Sequence, residues 1–128
     1  MDLLLETHAL LWYYSDDPKL SATARSLISD PSNRKFVSPA SHWEIAIKLG
    51  QGKYRLSAPF AVFIREAITD NGFTILPVEP RHTELLIGLP LHHKDPFDRL
   101  LIAQALADNL AVVGCDTAFD AYPIRRLW

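Results

Sequence analysis

The sequence predicts a three-layer α/β/α fold on a central parallel sheet. Short apolar runs alternate with longer stretches of helical periodicity along the whole chain. Two of the apolar runs end in an acid, at Glu6 and Asp116, as strands feeding a polar sheet edge do. Several helical stretches open on a capping residue, with proline next at Ser38-Pro39 and Asp95-Pro96.

Taken in order, "MDLLLE" is an apolar run that reads as a buried strand. "THALLWYYS" is helical, and "DDPKLS" is a turn whose last residue, Ser21, caps the helix "ATARSLIS". After the loop "DPSNR", "KFVS" is a short strand. "PASHWEIAIKLG" is a helix with Pro39 in its first turn and Gly50 at its end. "APFAVFIREAITDNG" is expected to form one amphipathic helix ending at Asn71-Gly72. "FTILPV" is a strand, and "EPRHTELLIGLP" holds a helix. "DPFDRLLIAQALADN" has the strongest helical signature. Asp95 is its cap, Pro96 takes the N1 position, and Leu100, Leu101, Ala103 and Leu106 supply an apolar face. "LAVVGCD" is a buried strand, and "YPIRRLW" closes the chain as a short strand or packed tail.

Hydrophobic residues make up 48% of the 128 and charged residues 22%, a balance that can bury a core without covalent staples. Neither a repeat nor a linker interrupts residues 1–128, so a single domain is expected. Cys115 is the one cysteine and has no internal partner, which suits a reducing, cytoplasmic setting. The N-terminal run lacks a basic flank and a cleavage site. Glu6 and His8 also keep it short of the roughly 18 apolar residues of a membrane helix. A net charge of −2 argues against a protein that coats DNA by charge alone.

The acids carry the chemical argument. Glu6 and Asp116 end strands, while Glu44 and Asp98 lie near the starts of helices. A helix that follows a parallel strand begins at the same sheet edge, so all four can converge there. Carboxylates held close repel one another, and a hard divalent cation, Mg²⁺ or Mn²⁺, relieves that repulsion. Such an ion orients a water and offsets charge on a phosphodiester, which points to hydrolysis. Plainer roles compete. Asp95 is most simply a helix cap, Asp98 also suits a helix dipole, and Ser41 with Glu44 matches a capping box. His92 and His93 have no companions at zinc spacing, and are assigned to the loop or a substrate channel. His8 is expected to pack or hydrogen-bond near the pocket. Trp12, Tyr13, Trp43 and Phe97 are assigned to core or interface. Lys48, one turn after Glu44, is placed to neutralise an acid or meet a phosphate.

Four stretches together resemble the PIN-domain ribonucleases, and among them the VapC toxins of prokaryotic toxin–antitoxin (VapBC) pairs. They are "LLLETHALLW" at 3–12, "VSPASHWEIAIKLGQGKYRL" at 37–56, "LPLHHKDPFDRLLIAQA" at 89–105 and "VVGCDTAFDAY" at 112–122. The resemblance implies a PIN-like α/β/α sandwich with an acidic pocket at the C-terminal edge of the strands. It places the family's acids, catalytic and metal-binding, on Glu6, Glu44, Asp98 and Asp116, with Asp95 shaping the pocket and the Thr7 hydroxyl orienting ligands or water. It further implies Mg²⁺ or Mn²⁺ as cofactor, tRNA or rRNA as substrate, an antitoxin partner and a homodimer. Two positions depart from the pattern. The first acid is Glu6 where the family has Asp, and Gly114 stands where it often has Thr or Ser. A longer first acid leaves open a PIN-fold module that binds RNA or antitoxin without efficient cleavage. A hydrolase of small phosphate esters is a third reading, but the sequence has no Gly-rich phosphate loop. An apolar groove for the antitoxin is expected near the first two helices and "YRLSAPFAVFI".

Overall fold

A computed structural model describes residues 1–128. Five parallel strands form one sheet in the order β3-β2-β1-β4-β5. They are β1 (Asp2–Leu5), β2 (Arg34–Val37), β3 (Thr74–Ile75), β4 (Ala111–Val113) and β5 (Arg126–Leu127). Six helices cover it: α1 (Thr7–Tyr14), α2 (Ala22–Ser29), α3 (Pro39–Gly50), α4 (Phe60–Ile64), α5 (Pro80–Gly88) and α6 (Pro96–Asp108). None is long and apolar enough to cross a membrane.

The three layers follow from the strand period of two. Leu3, Leu4 and Leu5 are all fully buried, because β1 has a neighbour on each side and helices on each face. Leu3 and Leu5 join the core built with Leu10, Ile28, Ile45 and Phe63. Leu4 joins the opposite core with Leu101, Ile102, Val112 and Phe119. Strand order turns at β1: β2 and β3 extend one way, β4 and β5 the other. The crevice beyond the ends of β1 and β4 is therefore the topological switch point, where such sheets bind ligands.

The predicted caps form. Ser21 Oγ accepts from the Ala24 amide at 3.0 Å, Ser38 Oγ from Ala40 at 3.1 Å, and Asp95 Oδ1 from Asp98 at 3.0 Å. The stretch expected to form one helix over 58–72 is instead α4 continued by a π turn, Arg65–Thr69. The wide turn closes with an Asp70 amide to Arg65 carbonyl bond of 2.8 Å, and it brings Phe63, Ala67 and Ile68 inward together. The strand expected over 73–78 pairs only at Thr74–Ile75, with Leu76 adding one bond to the Val37 carbonyl at 2.9 Å. Pro77 has no amide to continue it. Trp43 is not a core residue. Helical spacing turns Ser41, Glu44 and Ile45 inward and leaves Trp43 59% exposed, edge-on to Phe97 at 5.1 Å.

Candidate active site

Glu6, Glu44, Asp98 and Asp116 line one cleft of about 340 Å³ together with Asp95, His8, Trp12, Lys48 and Cys115. Each acid reaches it from a different element. Glu6 follows β1 and caps α1: its Oε2 accepts from the His8 amide at 3.0 Å and the Ala9 amide at 3.3 Å. Its Oε1 lies 3.1 Å from His8 Nδ1. Glu44 sits mid-α3 and is buried, with Lys48 Nζ 2.6 Å from its Oε2. Asp98 occupies the first turn of α6. Asp116 follows β4 and caps the 3₁₀ turn Thr117–Ala121, its Oδ1 accepting from the Ala118 amide at 2.9 Å.

The expected secondary residues have distinct places. Asp95 lines the cleft while capping α6. Thr7 is fully buried and donates to Ser41 Oγ at 3.1 Å, so its hydroxyl ties α1 to α3 instead of lining the cleft. Lys48 pairs with Glu44 and donates to the Tyr54 hydroxyl at 3.3 Å. Arg99 does not face the acids. Its guanidinium donates to the carbonyls of Leu89, Pro90 and His93 at 2.9–3.2 Å and so organises the loop before α6.

That loop carries the residue whose role in the site the sequence left undefined. His93 Nε2 stands 2.8 Å from Asp116 Oδ2 and 3.2 Å from Asp98 Oδ2. Ligand atoms of the three residues lie within 4.8 Å of one another, close enough to share a metal ion. Yet His93 Nδ1 accepts from the Asp95 amide at 3.2 Å, which leaves the ring proton on Nε2, facing the two acids. In this arrangement His93 is a donor that holds Asp98 and Asp116 together. Tyr122 pins the same loop: its hydroxyl accepts from the His93 amide at 2.8 Å and donates to the Pro90 carbonyl at 2.6 Å. Spacing alone could not find this bridge, because 23 residues separate His93 from Asp116.

The electrostatics show an excess of negative charge. Burial pushes the Asp98 carboxyl up to about 7, with Glu6 and Asp95 adding to the rise and His93 opposing it. The hydrogen bond to Glu6 holds His8 above its usual range against burial. For Lys48, burial acts downward, but Glu44 and Tyr54 outweigh it and the ammonium stays charged. Burial also acts upward on Asp116, where the Ala118 amide and His93 prevail and lower it. Hard oxygen donors around a carboxyl this hard to ionise fit a divalent cation.

A prediction follows for the metal-free protein. The folded-state pKa of Asp98 lies above its unfolded value of roughly 3.9. Its contribution to stability is therefore complete below about pH 4 and lost as pH rises toward about 7. Thermal unfolding in EDTA should show stability falling by on the order of 3 kcal/mol between pH 4.5 and 7.5 from this group, and replacing EDTA with Mn²⁺ should restore it at the upper pH. A melting temperature that rises over this range would contradict the charge excess.

These features define a class first: an α/β/α fold with a carboxylate cleft at its switch point. The model of the PIN domain family matches residues 3–124, and the chain belongs to that family. PIN domains are generally nucleases. Among solved structures, FitAcB from Neisseria gonorrhoeae aligns at TM-score 0.65 and 16% identity, covering 97% of this chain and 95% of that one. VapBC-1 from nontypeable Haemophilus influenzae aligns at 0.61 and 17%, covering 98% and 96%. VapBC2 from Rickettsia felis, bound to a DNA fragment from its promoter, aligns at 0.61 and 15%, covering 98% and 97%. At these identities the likeness is one of fold. No curated protein matches the sequence.

Proposed function

We propose that residues 1–128 act as a single PIN domain, a cytoplasmic, metal-dependent endoribonuclease and the toxin of a type II toxin–antitoxin pair. One observation carries the reading: four carboxylates from four elements line a single cleft at the switch point of a PIN fold. Glu6, Glu44, Asp98 and Asp116 would hold Mg²⁺ or Mn²⁺. A bound ion of this kind lowers the pKa of a water and offsets charge on the phosphodiester. The chain does the rest. His93 Nε2–H keeps Asp98 and Asp116 in register, and Arg99 and Tyr122 fix the loop that carries it. Lys48 balances Glu44. The reaction adds water across the P–O bond, leaving one phosphate-bearing end and one hydroxyl end.

The surroundings support RNA as the substrate. A second cleft of about 550 Å³ shares His8 and Trp12 with the acidic one. The groove expected to be apolar is this one, and it is mixed. Leu11, Trp12, Tyr54 and Leu56 line it beside Lys19, Lys53 and Arg55, none of which pairs with a carboxylate side chain. Free cations beside aromatic faces suit a single-stranded polyanion. Replacing Lys53 and Arg55 with Ala in an Asp98→Asn background should weaken oligoribonucleotide binding about tenfold and flatten its salt dependence. Lys35→Ala, on β2 and outside this cleft, should leave both unchanged.

The VapBC and FitAcB likenesses support an antitoxin as inhibitory partner, in line with the motifs. A homodimer fits the exposed apolar side chains of Ile87 (87%) and Leu91 (71%), which a partner copy would cover. The function is tested by incubating purified protein with total RNA in Mg²⁺, Mn²⁺ or EDTA. Discrete fragments that vanish in EDTA are expected. RNA left intact with both metals would overturn the assignment.

A further inference from the structure

Gly114 is buried and directly follows β4, yet its backbone does not need glycine. The chain's positive-φ glycines are Gly52 and Gly72, and Gly114 is not among them. Its amide donates to the Leu127 carbonyl at 3.2 Å, and its own carbonyl accepts from Arg126 Nη1 at 3.1 Å, bonds any L residue could make. The reason for glycine must lie in the space beside it.

That space is filled by Glu6. Strands β1 and β4 are paired in parallel with Leu5 opposite Val113, and the Glu6 amide continues the ladder to the Val113 carbonyl at 3.0 Å. A Cβ on residue 114 would lie 3.0 Å from Glu6 Cβ, 3.3 Å from its Cγ and 3.7 Å from Oε2. Glu6 cannot simply move aside. Its Cβ sits on the backbone that joins β1 to α1, and its carboxylate is held by the amides of His8 and Ala9 and by the His8 ring. Moving the stem away from residue 114 would draw the carboxylate off both the helix cap and the cleft.

We propose that Gly114 is the positioning residue for Glu6, its missing side chain being the lane along which the longer acid reaches the cleft. The two residues are then one coupled unit. A side chain at 114 should cost the protein clearly more when residue 6 is Glu than when it is Asp, because the Cβ contact is common to both and the contacts beyond it are not. Aspartate keeps the Cβ that comes within 3.0 Å, but its shorter stem carries nothing beyond Cγ past the new side chain and is free to turn away from it, and it remains a strong helix N-cap.

The test is a cycle of four proteins: parent, Gly114→Ala, Glu6→Asp and the double variant. The first readout needs neither metal nor RNA, which separates this inference from the proposed function on which its second readout rests. Amide hydrogen exchange at His8 and Ala9 should quicken about tenfold in Gly114→Ala, as the cap loosens, while amides on α6 keep parental rates. In the double variant the two amides should return toward the Glu6→Asp rates. The second readout is Mn²⁺ affinity, which should fall about tenfold in Gly114→Ala and recover in the double variant. If Gly114→Ala fails to fold, recovery of the fold in the double variant supports the coupling, and failure to recover overturns it. Parental exchange in Gly114→Ala, or equal losses with Glu and Asp at residue 6, would also overturn it. Absence of Mn²⁺ binding in the parent would defeat the metal reading and leave the exchange result to decide the coupling.

Discussion

Asp98→Asn is expected to lower RNA cleavage by on the order of 10²-fold or more, with the fold retained. The substitution keeps size and shape but removes the charge. It also puts an amide where His93 Nε2–H and Asp116 now share a carboxylate neighbour. Asp98 is the most strongly perturbed acid in the cleft, half-buried and surrounded by Glu6, Asp95 and Glu44. Removing its charge relieves that repulsion, so the metal-free variant should melt at or above the parental temperature near neutral pH. Loss of activity together with unchanged or higher stability is the signature of a functional acid. Cleavage assays and thermal unfolding in EDTA on the same samples check it. Equal activity in variant and parent would remove Asp98 from the site.

Phe119→Ala should cost about 3–5 kcal/mol and also reduce cleavage. Phe119 is fully buried in the core around α6 and contacts the His93 ring edge-on at 5.5 Å. It lies on the 3₁₀ turn that Asp116 caps. Its loss opens a cavity under the site and frees the ring that bridges Asp98 and Asp116. Against a typical domain stability of about 5–15 kcal/mol, the cost is large. Urea unfolding measures it, and assays well below the new transition separate loosened geometry from a smaller folded fraction. A loss under about 1 kcal/mol would mean that the turn repacks without this ring.

Much of the fold was legible because its signals are local. Asp95-Pro96 and Ser38-Pro39 mark helix starts by chemistry that acts within one turn, and both caps form. Leu3 to Leu5 read as a central strand because they are apolar without alternation, as two covered faces require. The π turn over Arg65–Thr69 was not legible, because its register is set by packing Phe63 and Ile68 together. Pro77, which has no amide to donate, is the local signal that β3 is short. Among the cleft acids, Glu6 and Asp116 stand at strand ends and Asp98 in a first turn, while Glu44 lies mid-α3 and reaches the cleft by helical spacing. Three features depend on distant backbone geometry instead. They are the His93 bridge, the turning of Arg99 away from the acids toward the Leu89–His93 carbonyls, and the clearance of Glu6 over Gly114. Trp43 shows the limit of composition: of the core and interface roles an aromatic suggests, the helix excludes the core by turning the indole outward.

Direct measurement of Mn²⁺ binding, by the loss of its free-ion paramagnetic resonance signal on titration with protein, tests the central claim most directly. Parent, Glu44→Gln, Asp98→Asn and Asp116→Asn would be compared at pH 7.5. Saturable binding by the parent, weakened about tenfold or more in each variant, is the expected result. A parent that binds no Mn²⁺, or variants that bind it as tightly as the parent, would contradict a metal-holding carboxylate cleft.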